Sequence, residues 1–264
     1  MENYFRAPTG IDEGIGWVRA IADDWRLYGL DRLEREASAV SVELRPESVQ
    51  LLACSRLWAK DALPSQIESR VRYQVFGDGR IVVANEVRID IGLATLPRIG
   101  LTLVLPSQFS EVEWYGRGPH ENYADRKLSA HVGRYRTQVD AERPAYVVPM
   151  ESGGREEVRW LALTEAATGT GLRIVADDLI HFDVHRNSVH DLALSRHGSE
   201  LPHRDAIWLN LDHRHLGVGG DNGWSYLTVH EPYWVPPGTY RYAWCLLPVF
   251  GKSGCHGGVG SSPP

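Results

Sequence analysis

The chain has 264 residues, of which 43% are hydrophobic and 23% charged, and 28 Lys and Arg stand against 34 Asp and Glu, giving a formal net charge of −6. These values are typical of a globular protein and exclude a mainly disordered chain. The acidic balance and the lack of a basic run argue against a nucleic-acid partner, and the lack of a long apolar stretch argues against a membrane span.

The N-terminal sequence and the cysteines bear on where the protein works. Residues 1–6 lack a basic region followed by an apolar core, so no secretory signal is predicted. Cys54, Cys245 and Cys255 are odd in number and far apart, which predicts neither a disulfide framework nor a zinc site. We expect a cytoplasmic protein, although a mature chain whose signal had been removed would look the same.

A short helix is predicted near the N-terminus. Trp17, Ile21 and Trp25 recur every four positions, which places their side chains on one face of a helix. Gly29 is a typical helix stop. We expect this segment to be an amphipathic helix docked on a sheet.

After Gly29 the pattern changes to short strands. Val40, Val42 and Leu44 alternate with polar side chains. Residues 70–76 alternate again before a Gly-Asp-Gly turn and a further apolar run at 81–91, which predicts a β-hairpin. The same criteria predict strands at residues 99–105, 112–115, 158–163, 172–175, 180–184, 206–211, 226–229 and 240–247.

The predicted architecture is therefore all-β, with one short N-terminal helix. Strands and long helices do not alternate, which argues against a TIM barrel or a Rossmann sheet. Length alone is compatible with one large β domain or two small ones, and we expect one large β-sandwich over residues 1–250. Residues 251–264 are rich in Gly, Ser and Pro and are expected to form a flexible tail.

Residues 116–126 form the first candidate functional segment, a loop punctuated by glycine and proline after a predicted strand. The loop contains the carboxylate Glu121 together with cationic and aromatic side chains. Loops on rigid sheets often carry function. The alternative is a loop whose polar groups satisfy one another.

Residues 213–225 form the second candidate segment. Their run Gly-Val-Gly-Gly is not a phosphate loop, because no Lys-Ser/Thr follows it and no βαβ unit surrounds it. A glycine-rich backbone can bend sharply and present one large side chain, here Trp224. The segment predicts an aromatic platform for a ligand such as a sugar, and the alternative is ordinary packing of Trp224.

Two histidine pairs bear on metal binding. His213 and His215 would offer two imidazoles on one strand face, but no third ligand follows at a fixed spacing, so no metal site is predicted. His181 and His185, four residues apart, are expected to share a face only on a helix, whereas this region is predicted to be a strand.

A glycosidase needs two carboxylates about 5–10 Å apart. No spacing in the sequence pairs the available ones, and a Gly-x-Ser-x-Gly nucleophile motif is absent. From its residues alone, the chain is predicted to be a large β-sandwich with a candidate sugar-binding loop and no catalytic residues of its own. The carboxylates that we considered are Glu113, Glu121, Glu151 and Asp221.

Five segments, taken together and in order, resemble a known family. They are Phe5-Arg6-Ala7-Pro8-Thr9, Gly116-x-Gly118-Pro119-x-Glu121-Asn122-Tyr123-x-Asp125-Arg126, Tyr146-Val147-x-Pro149-x-Glu151-x-Gly153, His215-x-Gly217-x-Gly219-Gly220-Asp221-x-x-Trp224-Ser225 and Tyr240-x-Tyr242-x-x-x-Leu246. The chain resembles the C-terminal domain, or small chain, of the β-galactosidases of glycoside hydrolase family 2, over about residues 3–248.

This resemblance implies a β-supersandwich of the galactose mutarotase-like type. It also implies a partner, the TIM-barrel portion of the enzyme, on the same or a separate chain. That portion would supply both catalytic Glu residues and the Mg²⁺ and Na⁺ ligands for retaining hydrolysis of terminal β-D-galactosides. This chain would carry no catalytic residue and no cofactor, and Trp224 would contact the galactoside substrate. The resemblance assigns no chemistry to residues 116–126.

The sequence departs from the family in two places. The family usually continues Asp-Asn-Asp after Thr9, whereas this chain has Gly10, Ile11 and Asp12, so contacts of these residues with neighbouring domains would differ. The family domain also begins a few strands before Met1. We therefore expect missing N-terminal strands and an exposed sheet edge, which would favour a homo-oligomer or dependence on a partner.

Two alternatives come from other functional classes. An aldose 1-epimerase would need a positioned acid and base, for which His120 with Glu121 or His185 with Glu151 are the candidates. A carbohydrate-binding module would make no catalytic contribution at all.

Overall fold

A computed structural model describes residues 1–14, 19–142, 144 and 146–251. Within these ranges the chain forms twelve strands, four short helices and three 3₁₀ turns. The strands are β1 (Glu2–Asn3), β2 (Glu34–Arg45), β3 (Ser48–Trp58), β4 (Ser65–Phe76), β5 (Ile81–Ile91), β6 (Arg98–Pro106), β7 (Glu111–Gly118), β8 (His131–Gln138), β9 (Arg155–Thr164), β10 (Gly171–His185), β11 (Ala206–His215) and β12 (Gly238–Val249). The helices are α1 (Gly10–Glu13), α2 (Ile21–Leu27), α3 (Val139–Glu142) and α4 (Val189–Leu194), and the 3₁₀ turns are Leu30–Arg32, Gly198–Glu200 and Glu231–Tyr233.

All described strand pairs are antiparallel and belong to one large sheet. Its main path runs β1-β6-β11-β10-β12-β5-β4-β3-β2, and β9, β7 and β8 branch from it at β10. The 15-residue strand β10 makes this possible, because its first half pairs with β12, its second half pairs with β11, and β9 pairs with both halves. The predicted all-β architecture is confirmed.

The predicted hairpin is confirmed as β4 and β5, which pair from Ser65 opposite Ile91 to Val75 opposite Ile81. Gly79 in the connecting turn has a φ of +85°, a conformation that glycine adopts without strain. The two strands predicted at 172–175 and 180–184 are one strand, β10, whose pairing with β9 is irregular between Val175 and Ile180.

The strand predicted at residues 226–229 is wrong, because this segment is an irregular loop. It packs against the preceding glycines instead of a strand edge: a Cβ added to Gly220 would lie 2.4 Å from the carbonyl oxygen of Thr228. The hydroxyl of Tyr226 is hydrogen-bonded to Asp24. Strands β1, β3 and β8 were not predicted.

The short N-terminal helix is confirmed in α2, although Trp17 and Val18 lie outside the described residues. Trp25 is fully buried, and the guanidinium of Arg6 lies 5.5 Å from the centre of its ring. Gly29 follows α2 with a φ of +71°, and a Cβ there would lie 2.2 Å from Cβ of Ala59. Glycine is therefore required at this helix end by conformation and by space.

The sheet leaves one edge strand uncovered. Every residue of β2 is exposed, including Val40, Val42 and Leu44.

Cys54 and Cys245 are free thiols, and Cys255 lies outside the described residues together with the rest of 252–264. No helix in the described part of the chain is long and apolar enough to cross a membrane.

Candidate functional site

The loop motifs of the sequence converge on one surface cavity of about 310 Å³. The four loop motifs are the segments at residues 5–9, 116–126, 146–153 and 215–225. Each of them contributes lining residues, among them Thr9, Glu121, Glu151 and Gly223. A larger cleft of about 440 Å³ lies over β4, β5 and β12 and is lined by no residue of the four loop motifs. The cavity at the motifs is therefore the candidate functional site.

A buried arginine holds one side of the cavity. Arg6 donates to both carboxylate oxygens of Asp12, at 3.1 and 2.8 Å, and to the carbonyl oxygens of Leu216 and Gly217, at 2.7 and 3.0 Å. Asp12 also accepts hydrogen bonds from the backbone and hydroxyl of Thr9. The N-terminal motif therefore fixes the start of residues 216–225, which we call the glycine loop.

A carboxylate from the 116–126 loop holds the glycine loop from the other side. Asp125 accepts hydrogen bonds from the backbone N–H groups of Val218, at 3.1 Å, and Gly219, at 2.6 Å. A Cβ added to Gly217 would lie 2.5 Å from a carboxylate oxygen of Asp125. Glycine at 217 therefore allows this close approach, and the 116–126 loop serves at least to position the glycine loop.

Most other polar groups of the 116–126 loop bond to each other or to nearby segments. Glu121 pairs with Arg126, accepts the hydroxyl of Tyr146, and accepts the Gly153 N–H at 2.9 Å. Burial and the hydrogen bond to Glu121 raise the pKa of Tyr146. Residues 116–118 belong to β7, so the loop begins later than predicted. These contacts agree with the alternative in which the loop satisfies its own polar groups.

Trp224 lies in the glycine loop next to Gly223, which lines the cavity. Its side chain is 61% exposed. The backbone N–H groups of Trp224 and Ser225 both donate to the side-chain oxygen of Asn222, at 3.0 and 2.8 Å. The turn therefore presents a large aromatic side chain to solvent, while its role in binding remains a prediction.

Beside the cavity lies a buried network that the sequence did not predict. All of its members are buried. They are Arg98 from β6, Glu151 from the segment before β9, His181 and Asp183 from β10, and Asp212 and His215 from β11. The Arg98 guanidinium bonds both oxygens of Asp212, at 3.0 and 2.6 Å, and also contacts Asp183 and Glu151. Burial alone would raise the pKa of Asp212, but Arg98 and the hydrogen bond with His181 lower it below its usual range.

Strand pairing explains how this network is assembled. His181 pairs with Asp212 across β10 and β11, and Asp212 pairs with Gly100 across β11 and β6. A Cβ at Gly100 would lie 2.3 Å from a carboxylate oxygen of Asp212, so glycine makes room for this side chain. His185 lies on the same face as His181, because residues an even number apart in a strand project to the same side. The expectation that this pair shares a face only on a helix is therefore wrong.

The expectation that His213 and His215 share one strand face is wrong. A β-bulge between Asp212 and Arg214 shifts the alternation of β11 by one residue. His213 stacks on Tyr242 with ring centres 5.0 Å apart, and burial, followed by the charge of Arg214, lowers its pKa to about 4. His215 instead stacks on His181 inside the network, at 4.3 Å.

The other carboxylates considered from the sequence lie apart from the network. Glu113 pairs with Arg134 on the exposed side of β7, and Asp221 pairs with His230 at 3.1 Å. The epimerase candidates also have other partners. Nε2 of His120 is hydrogen-bonded to the hydroxyl of Ser129 at 3.0 Å, and Nε2 of His185 to the carbonyl oxygen of Ser152, also at 3.0 Å.

The network could have been suspected from charge placed within apolar strands. In β10, His181, Asp183 and His185 alternate with Ile180, Phe182 and Val184, and all six are buried. Charged side chains are rarely fully buried unless they are paired. The sequence could not show which of these residues pair, because Arg98 and Asp212 are 114 residues apart.

Comparison with known proteins places the chain in a family. Residues 1–246 match the family described as beta galactosidase small chain. A beta-galactosidase of Vibrio cholerae serotype O1 is 37% identical over 246 residues, covering 91% of this chain and 23% of that protein. A beta-galactosidase of Aeromonas hydrophila is 34% identical over 257 residues, covering 93% of this chain and 24% of that protein. The chain thus spans about a quarter of the length of these relatives.

Comparison with solved structures gives weaker similarities. One is to a GalM/aldose epimerase homologue from C. elegans, with a TM-score of 0.42, 13% identity and coverage of 80% of this chain and 69% of the other. A putative aldose 1-epimerase from Escherichia coli K12 has a TM-score of 0.40 and 11% identity, and covers 81% of this chain and 69% of the other. The sequence match over residues 1–246 is decisive. The chain belongs to the beta-galactosidase small-chain family.

Proposed function

We propose that this chain completes the galactoside-binding site of a β-galactosidase whose catalytic carboxylates lie on another portion of the enzyme. The observation that carries this proposal is the convergence of four loop motifs on one cavity, with Trp224 exposed at its glycine loop. The length of the relatives supports the second half of the proposal, because three quarters of each has no counterpart in this chain.

The cavity in this chain is suited to be one wall of a larger site. It is open to solvent and lined mainly by loop residues, and Trp224, which follows the lining residue Gly223, has a side chain that is 61% exposed. An indole ring can stack on the apolar face of a sugar. The substrate would be a terminal β-D-galactoside, with Trp224 contacting the sugar or the group attached to it.

The partner would be the TIM-barrel portion, on the same or a separate polypeptide. That portion would supply the two carboxylates for retaining hydrolysis, and Mg²⁺ and Na⁺ would bind there. In this arrangement, Arg6 and Asp125 act at a distance from the sugar by fixing the glycine loop.

Hydrolysis of a nitrophenyl β-galactoside tests the proposal. The purified chain alone should be inactive, and adding a catalytic portion that lacks its own small-chain region should restore hydrolysis. Serum albumin at the same concentration is the protein control. Activity of the chain alone would overturn the location of the carboxylates, and no recovery on mixing would overturn the complementing role.

A further inference from the structure

Two imidazole nitrogens inside the buried network have no hydrogen-bond partner in the described structure. They are Nε2 of His181 and Nε2 of His215. Both side chains are more than nine-tenths buried, so water does not readily replace a missing partner. Buried polar atoms are normally hydrogen-bonded, and exceptions need a physical explanation.

The other ring nitrogen of each histidine shows which atom carries the proton. His181 donates from Nδ1 to the carboxylate of Asp212 at 3.0 Å, and His215 donates from Nδ1 to the carbonyl oxygen of Leu216 at 2.8 Å. Both partners can only accept. On each ring, Nε2 is therefore the nitrogen that can offer an electron pair, in the pattern that is usual for metal-binding histidines.

Glu151 supplies a third donor at the same point. Its Oε1 lies 3.7 Å from Nε2 of His215 and accepts the Tyr123 hydroxyl at 3.4 Å, while its Oε2 is held by Arg98 at 3.4 Å. One ligand atom from each of Glu151, His181 and His215 lies within 4.8 Å of the other two. Ligands of a tetrahedral ion are about 3.3 Å apart when the metal–ligand distance is about 2.0 Å, so modest side-chain movements would complete the site.

The charge of the network favours a cation. Arg98 faces three carboxylates, those of Glu151, Asp183 and Asp212, so acidic side chains outnumber the guanidinium in this network. Buried charge without compensation is costly. A divalent ion would balance this charge.

A second group of potential ligands nearby is less suitable. His181, Asp183 and Asp212 are also close together, but Arg98 already binds both carboxylates and Asp212 already accepts the His181 proton. The free electron pairs point instead to the set that contains Glu151. This set also lies beside the surface cavity, because Glu151 is one of the residues that line it.

We propose that Glu151, His181 and His215 form a binding site for Zn²⁺. Two imidazoles and one carboxylate are a common donor set for zinc and leave a fourth position for water or another ligand. Asp212 and the Leu216 carbonyl would orient the two rings. The site is contributed by β10, β11 and the segment before β9, so the ion would tie that segment to the sheet.

Metal analysis of the purified chain tests this proposal without any measurement of hydrolysis. After incubation with zinc and removal of free metal, we expect about one zinc per chain. The variants His181→Gln and His215→Gln should each bind zinc roughly 10-fold more weakly or worse. His185→Gln is the matched control, because this histidine is buried in the same strand but bonds the Ser152 carbonyl, and it should keep its zinc.

Cobalt substitution keeps the test decisive if a histidine variant does not fold, as judged by circular dichroism. The wild-type chain with Co²⁺ should show the visible bands of a four- or five-coordinate site with nitrogen and oxygen ligands. A thiolate-to-cobalt charge-transfer band would place the ion on cysteine and overturn the proposal. Absence of zinc from the wild-type chain, or equal zinc in folded His215→Gln and wild type, would also overturn it.

Discussion

At the scale of single residues, substitution of Trp224 gives the most direct test of the proposed function. Replacing it with alanine should lower kcat/KM of the assembled enzyme by roughly 5- to 150-fold, because loss of one stacked aromatic costs about 1–3 kcal/mol. Trp224→Phe should retain part of the activity, since a smaller ring still stacks. The measurement is steady-state hydrolysis of a nitrophenyl β-galactoside by the complemented enzyme.

Trp58 offers the control for this substitution. It is a partly exposed tryptophan at the end of β3, away from the glycine loop, so Trp58→Ala should leave kcat/KM unchanged. Equal activity of Trp224→Ala and wild type would contradict the binding role and would favour a module without contact to the substrate.

Residue patterns located the candidate site better than they explained it. The spacing of glycine and polar residues identified the loop of Trp224 and the loop of Asp125 separately. It could not show that Asp125 accepts two N–H groups of the other loop, because the two segments are more than 90 residues apart. Arg98 carries no local pattern at all, since its partners come from three other segments.

At the scale of strands and helices, Gly100 in β6 is a sharp test of the packing at the network. Gly100→Ala should lower the free energy of unfolding by about 1–3 kcal/mol, the usual range for overpacking a filled interior, because its Cβ would meet Leu211 and Asp212 at 2.2 and 2.3 Å. Urea denaturation measures this difference. Gly77→Ala, where nothing lies within 4 Å of the added atom, should change stability little, and an equal loss in both variants would contradict the packing argument.

The N-terminus of α4 gives a stability difference that depends on pH. Asp191 accepts the Ser188 N–H at 3.0 Å and pairs with Arg204 at 2.7 Å. Burial alone would raise the pKa of Asp191. The hydrogen bond from Arg204, together with those from Ser188, outweighs burial and lowers this pKa below its usual value. A lowered carboxylate pKa stabilises the folded state above the unfolded pKa of about 4, and this stability is lost as pH falls through the folded value.

Two variants separate the charge of Asp191 from the geometry of the helix cap. Asp191→Asn should reduce stability by up to about 1 kcal/mol near pH 7, since Arg204 is half exposed and screened, and by less below pH 4. Ser188→Ala should cost about 1 kcal/mol at both pH values, because it removes a neutral acceptor. Thermal unfolding at several pH values distinguishes them, and a pH-independent loss in Asp191→Asn would refute the assignment.

Strand prediction succeeded where side chains alternate against a buried face, as in β4 and β5. It failed for β3, whose middle residues 50–54 are partly exposed on both faces and therefore show little contrast. It also failed at residues 226–229, where a short apolar run had no free strand edge to join. The bulge at His213 was unpredictable for a similar reason, because its cause lies in the register with β6.

At the scale of the whole molecule, the exposed edge of β2 predicts self-association of the isolated chain. Val40, Val42 and Leu44 are 62%, 61% and 81% exposed and alternate along one side of this strand. An apolar edge strand pairs readily with another chain. Sedimentation should therefore show an average mass that rises with concentration, and Val42→Lys should reduce this rise; a wild-type chain that stays monomeric would disprove it.

The family as a whole was recognisable from sequence because its motifs are specific in combination. Their physical meaning required the fold, which gathers segments from both ends of the chain around one cavity. The zinc proposal depends on the fold even more, since its three donors come from residues 151, 181 and 215.

The contact between Asp125 and Gly217 has a consequence for how such proteins diverge. Because any side chain at 217 would collide with the carboxylate that fixes the glycine loop, neither position can change freely while the other stays the same. Among relatives, the two positions should covary, with a larger residue at 217 accompanied by a shorter one at 125. A chimera that exchanges only one of the two loops would inherit a mismatched pair, so the loops should be transplanted together.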